Sequence, residues 1–149
     1  MYQKILVPTD GSTLSEHAAA TAVALARVHG SALVAISVAH PFPSMVSEAA
    51  VVTDAAMETS LLIKQAQENV DKIAQLAAQA GVPCTTLTAI SYVPHEEIIN
   101  AATANGCDLI CMASHGRRGI SKLLAGSVTQ TVLLYATIPV LVLRSGVAS

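Results

Sequence analysis

Between Ala113 and Gln130 the chain gathers Ala113-Ser114-His115-Gly116-Arg117-Arg118-Gly119, then Lys122, then Ala125-Gly126-Ser127-Val128-Thr129-Gln130. Small residues, hydroxyls and cations together are the side-chain types that hold an anion. Ser127 with Gln130 three residues on has the spacing of a capping box and leads into Val132-Leu133-Leu134, which predicts a helix opening at Ser127. The first turn of a helix offers backbone N–H groups without intrahelical acceptors and the positive end of the dipole, a setting that attracts phosphate. Gly126, just before, lets another group approach the backbone closely. An isolated Arg117-Arg118 pair would read as a solvated basic loop. Here glycines, hydroxyls, a helix start and cations converge, which favours a nucleotide-phosphate loop.

Other elements must bring partners to that loop. Leu109-Ile110-Cys111-Met112 is an apolar run bounded by Asp108 and by Ser114-His115-Gly116, which predicts a buried strand leading into the loop. Earlier, Lys4 to Thr9 reads as a short strand with Pro8 at its end. Thr13 and Glu16 show a second capping-box spacing and open an alanine-rich helix that closes at His29-Gly30. Ala32 to Ala39 reads as a buried strand. From His40-Pro41-Phe42-Pro43 to about Asp54 the pattern breaks, a long connection after which Thr53 or Asp54 caps a helix. In that helix Leu62, Ala66, Val70, Ile73, Ala77 and Ala80 recur at helical spacing up to Gly81-Val82-Pro83. Cys84 to Ile90 is a threonine-rich strand near a sheet edge. Pro94 opens a helix that ends at Asn105-Gly106, and Ile138 to Leu143 is a last strand. Strands alternate with helices throughout, so the sheet is expected to be parallel, with right-handed crossovers and helices on both faces.

Composition narrows the function. The 149 residues fit one domain, 1–149, with room for a sizeable core. A formal net charge of −2 gives no electrostatic footprint for nucleic acid. Cys84, Cys107 and Cys111 lack the spaced partners of a zinc site and read as reduced, buried thiols of a cytoplasmic protein. No leader is visible at the start. Leu123 to Leu143 carries no charge, but its hydroxyls, Gln130 and Pro139 argue against a membrane span. The chain has neither a Gly-x4-Gly-Lys-(Ser/Thr) loop nor a Gly-x-Gly-x-x-Gly turn after the first strand, which disfavours a kinase or a dinucleotide dehydrogenase.

Ala113-Ser114-His115-Gly116, nine residues, then Gly126-Ser127 closely resembles the Gly-x2-Gly-x9-Gly-(Ser/Thr) signature of the ATP-binding subgroup of the universal stress proteins. The resemblance spans essentially the whole chain. Lys4 to Ser12, Val93 to Ile99, Gly106 to Ile110 and Ile138 to Val142 look like further family segments. One departure is that the first glycine of the signature is Ala113 here. The resemblance implies a doubly wound, Rossmann-like α/β fold with a five-stranded parallel sheet in the order 3-2-1-4-5. In that order strands 1 and 4 meet where the winding reverses, and ligands bind at the carboxyl ends of such strands. That placement moves Asp10 from a plain Asp-Gly turn former toward a ligand contact.

The same resemblance implies that Pro8, Thr9, Asp10 and Val38 surround adenine and ribose, with Met112 and Ala113 beneath the sugar. It assigns Gly116, Arg117, Gly126, Ser127, Val128 and Thr129 to the phosphates of ATP, with or without magnesium, and brings Ser114 and His115 into the site. No metal-binding or catalytic set is evident, so His115 is expected to serve structure or to hydrogen-bond phosphate, and hydrolysis to be slow or absent. His95 reads as exposed and without a ligand role. The last strand, around Ile138, Val140 and Val142, is implied to pair two chains into a homodimer. The function expected is therefore a cytoplasmic, ATP-binding, homodimeric stress-response module whose conformation or unknown protein partners depend on the nucleotide. The alternatives are a nucleotide-free dimeric interaction protein, with Ala113 marking loss of the site, and a slow ATPase.

Overall fold

The computed structural model describes residues 1–41, 51–115 and 125–145, the side chains of 51–54 excepted. Its strands are β1 (Lys4–Pro8), β2 (Ala32–Ala39), β3 (Cys84–Ile90), β4 (Leu109–Ala113) and β5 (Val140–Leu143). The helices are α1 (Thr13–His29), α2 (Val51–Gln79), α3 (Pro94–Ala104) and α4 (Ser127–Tyr135). All strand pairs are parallel, in the order β3-β2-β1-β4-β5. This is the doubly wound α/β fold expected from the alternation of elements.

Strand residues alternate between two hydrophobic clusters, as the pleat requires. Ile5, Val7, Leu33, Ala35, Leu109 and Cys111 pack with Ala19, Ala22, Val23 and Ala26 of α1 and with Val70, Ile73 and Ala77 of α2. Leu6, Val34, Ile36, Ile110 and Met112 pack on the opposite face with Ile98 and Ala102 of α3 and Val132 of α4. Alanines on α1 let that helix approach the sheet closely. Burial raises the Cys111 thiol pKa to about 11, keeping it neutral. Cys107 is likewise buried, whereas Cys84 is only half-buried, and desolvation pushes both thiols up.

Several element ends differ from the sequence expectation. The N-cap of α1 is Ser12, whose Oγ accepts from Ser15 N at 3.2 Å, so Thr13 and Glu16 form no capping box. Glu16 instead pairs with Lys72 of α2 at 3.2 Å. Helix α2 begins at Val51, placing Thr53 and Asp54 inside it, so neither caps it. The connection expected before it falls mostly on 42–50, outside the described residues. Strand β5 starts at Val140, because Pro139 has no N–H for the ladder, although its carbonyl still accepts from Ile110 N at 3.0 Å. Helix α1 ends as expected at Gly30, whose φ of 69° suits glycine in the left-handed cap. Strand β3 lies at one sheet edge and β5 at the other. No helix among the described residues is long and apolar enough to cross a membrane.

Candidate functional site

Strands β1 and β4 are neighbours at the point where the sheet order reverses. Beyond their carboxyl ends opens a cleft of about 690 Å³, within the usual range for small-molecule sites. Its polar end is assembled from three segments. The first follows β1. Thr9 N donates to the Ile36 carbonyl at 2.8 Å, extending the β1–β2 ladder by one residue. The buried Thr9 Oγ1 accepts from Gly11 N at 3.1 Å and pairs with Ser15 Oγ at 3.0 Å. Asp10 Oδ1 accepts from Ser12 N at 2.9 Å, so this aspartate forms the turn and also faces the cleft.

The second segment follows β4. Ser114 N donates to Leu143 O at 2.7 Å, and Ser114 O accepts from Gly126 N at 2.6 Å. These bonds tie the departing chain to the returning one. Ser114 Oγ lies 3.1 Å from His115 Nδ1, and His115 lines the cleft while Ser114 supports it from behind.

The third segment is the start of α4. Gly126 is its N-cap and offers no side-chain bond, so the cap expected at Ser127 is displaced by one residue and the Ser127–Gln130 box is not formed. The Gln130 side-chain amide reaches back to the Ala125 carbonyl instead. Space at 126 is tight for any side chain. A Cβ there would stand 3.3 Å from His115 Cα and 3.4 Å from its Cβ, tighter than ordinary carbon contacts. The group that Gly126 admits is thus the chain's own backbone at His115. Gly126 leaves the cap without a side chain, and Ser127, Val128 and Thr129 of the first turn, where N–H groups lack intrahelical acceptors, line the cleft. Thr129 is held by its buried hydroxyl, which donates to Ala113 O at 2.8 Å.

Of the residues singled out in the sequence, Pro8, Thr9, Asp10, Val38, Met112, Ala113, His115, Gly126, Ser127, Val128 and Thr129 line this one cleft. Gly116 and Arg117 lie outside the described residues, as do Arg118 and Lys122. The cleft has a second end that sequence reasoning missed. Ile36 and Val38 of β2, Leu62 of α2, and Pro94 and Ile98 of α3 make it apolar, and three rings, His40, Tyr92 and His95, border it. His95 is therefore part of the cleft wall and only partly exposed, stacked on Tyr135 of α4 with ring centroids 6.3 Å apart. Ser15 and Thr131 also line the cleft. The positions of His40 and Tyr92, just after β2 and β3, were the available signal, since the carboxyl-end rule covers every strand in the sheet. Leu62 carries no such signal, because its helical spacing matches that of core residues.

Chemically, the cleft pairs an end of hydroxyls, backbone donors and one carboxylate with an apolar, aromatic end. Asp10 is the sole carboxylate among its described lining residues. No group of three His, Cys, Asp or Glu residues that could hold a metal ion occurs among the described residues. A ligand matching both ends is anionic on one side and flat and apolar on the other.

Comparison with known proteins agrees with the fold. The universal stress protein family model matches residues 1–144. A universal stress protein of Methanocaldococcus jannaschii is 34% identical over 146 residues, covering 97% of this chain and 83% of that protein. One from Thermus aquaticus is 33% identical over 145 residues, covering 97% of this chain and all of its own. The structure of universal stress protein UspA from Lactobacillus plantarum superposes with a TM-score of 0.78 at 25% identity, covering 96% of this chain and 98% of that one. The chain belongs to the universal stress protein family. Two further members share the fold at 21% and 19% identity, with TM-scores of 0.66 and 0.67; the first is in complex with cAMP and the second, from Archaeoglobus fulgidus, with dAMP.

Proposed function

We propose that this universal stress protein is an ATP-binding, homodimeric stress-response module of the cytoplasm, acting as one domain over 1–149, whose nucleotide occupancy alters its shape or its partners. The observation that carries the reading is the meeting of Thr9 and Asp10, Ala113 and His115, and the first turn of α4 in one cleft with an apolar far end. In this reading Pro8, Thr9, Asp10 and Val38 surround adenine and ribose, and Met112 and Ala113 lie beneath the sugar. Gly116, Arg117, Gly126, Ser127, Val128 and Thr129 hold the phosphates, with or without magnesium, through backbone N–H and hydroxyl groups. His115 serves as a phosphate hydrogen-bond donor, positioned by Ser114. The cAMP and dAMP complexes of related proteins support an adenine nucleotide as the ligand class.

Efficient phosphoryl transfer requires metal-holding carboxylates, a positioned nucleophile and a cationic clamp. With Asp10 as the one carboxylate of the described cleft, hydrolysis is expected to be slow. The dimer forms through the β5 edge around Ile138, Val140 and Val142. Exposed Leu141 in β5, with Leu133 and Leu134 on α4, supports a partner there, since bare apolar edges are normally covered. The test is mass spectrometry of nucleotide released from purified, acid-denatured protein, followed by calorimetry with ATP and magnesium. Stoichiometric ATP or ADP, or heat on titration, supports the site. A protein that neither carries nor binds nucleotide overturns it and leaves the nucleotide-free dimer, with Ala113 as the lesion. A monomer in sedimentation at micromolar concentration overturns the interface.

A further inference from the structure

We infer that Tyr92, backed by His40, is the wall that receives the nucleotide's heterocyclic base, and that this wall selects for ring size. The inference rests on the nucleotide reading above and adds two residues outside the family signature. Strand register brings them together: Ala39 pairs with Ile90, so His40 and Ser91 follow side by side. Ser91 N donates to Ala39 O at 3.0 Å, and Val93 N donates to Ser91 Oγ at 3.0 Å. The backbone is thus pinned immediately before and after Tyr92.

On this fixed turn the ring stands edge-on to His40, with centroids 5.6 Å apart and planes at 84°. Yet Tyr92 is 66% exposed, far more than an aromatic side chain placed for core packing. Both rings border the cleft at its apolar end, with Val38 and Leu62. An aromatic side chain on a pinned backbone, flanked by a second ring, left largely bare and facing an apolar slot is suited to cover a flat ring. No described residue at this end carries a carboxylate, an amide or a cation. Apart from the Tyr92 hydroxyl and the ring nitrogens of His40 and His95, recognition there is by contact area. A bicyclic purine is favoured over a single-ring pyrimidine, and the side chains discriminate little between adenine and guanine.

The protein reports on this directly, because it has no tryptophan and three tyrosines, of which only Tyr92 lines the cleft. ATP is expected to quench tyrosine emission, whereas inorganic tripolyphosphate, which has no base, leaves it unchanged. Tyr92→Leu is expected to abolish most of the quench, to raise the ATP Kd about tenfold, and to shrink the preference for ATP over CTP. Its affinity for tripolyphosphate stays at the wild-type value, and Tyr92→Phe retains ATP affinity. Tyr92 is exposed, so its replacement removes no core contact, and far-ultraviolet circular dichroism checks that the fold is kept. Wild-type ATP affinity and an unchanged ATP-to-CTP ratio in Tyr92→Leu overturn this inference alone. Failure of the wild-type protein to bind ATP overturns the nucleotide reading and this inference with it.

Discussion

The two ends of the sheet use the same chemistry for opposite purposes. At the amino end, side-chain oxygens close the structure. The Asp108 carboxylate accepts from Gln3 N at 2.8 and 3.1 Å and from Lys4 N at 3.0 Å, and Ser31 Oγ donates to Tyr2 O at 2.6 Å. At the carboxyl end, hydroxyls and carbonyls fasten the segments that border a cleft: Thr9 braces Gly11 and Ser15, and Thr129 ties α4 to Ala113. One end satisfies backbone groups with side-chain oxygens, while the other places the first turn of α4 along the wall of the cleft. Changes at the carboxyl end should therefore move ligand affinity, and changes at the amino end stability alone.

The strongest way to break that contrast is Gly126→Val. Even the first added carbon would press on the His115 backbone at 3.3 Å, and His115 cannot yield without moving Ser114, which is bonded to both Leu143 and Gly126. Overpacking of this kind costs about 1–3 kcal/mol. Because the displaced atoms line the phosphate end, ATP affinity in calorimetry should fall by at least about tenfold. Retained affinity would show that the α4 start is not the anion site.

Next in size is Thr129→Val, which conserves shape and removes one hydroxyl. Thr129 is 3% exposed, so losing its bond to Ala113 O cannot be repaired by bulk water. The expected cost is about 1–2 kcal/mol in urea unfolding, together with weaker ATP binding as the turn of α4 loosens against β4. Unchanged affinity at reduced stability would place Thr129 with the closing residues of the amino end and erase the distinction here.

How far these features were legible in sequence follows the same division. The alternating elements and the polar end of the cleft were readable, because apolar runs, Pro and Gly punctuation and a spaced glycine motif are local signals, whereas the strand order came only from the family resemblance. Helix starts were misread by one residue at Ser12 and Gly126 and by three or four at Val51. Hydroxyl residues adjoin at Ser12-Thr13, and at the other site Ser127 follows a glycine that caps without a side chain, so only backbone dihedrals decide which residue caps. Gly126 shows the limit well: its need for space was visible, but the neighbour needing that space, His115, was not. The apolar end stayed hidden because His40, Leu62 and the Tyr92–His95 stretch are three segments far apart in the chain that share no spacing. Only the β2–β3 register and the packing of α2 and α3 unite them.

The smallest effect belongs to the amino end and carries a pH signature. Partial burial opposes ionisation of Asp108, but the backbone N–H groups of Gln3 and Lys4, its own N–H and the N-terminal charge outweigh it, and its pKa is lowered. A carboxyl group with a folded pKa below its unfolded value stabilises the fold above the unfolded value. That contribution is lost as pH falls through the folded value. Asp108→Asn keeps one acceptor oxygen but turns a donor toward Gln3 or Lys4, and should cost about 1 kcal/mol at pH 7. The gap between wild type and variant should then close in thermal unfolding below about pH 4, while ATP affinity at pH 7 stays at the wild-type value in both. A constant gap across that range would mean that Asp108 acts through packing rather than charge. A loss of ATP affinity would mean that strain passes along β4 to Ala113, so the two ends of the sheet are mechanically one.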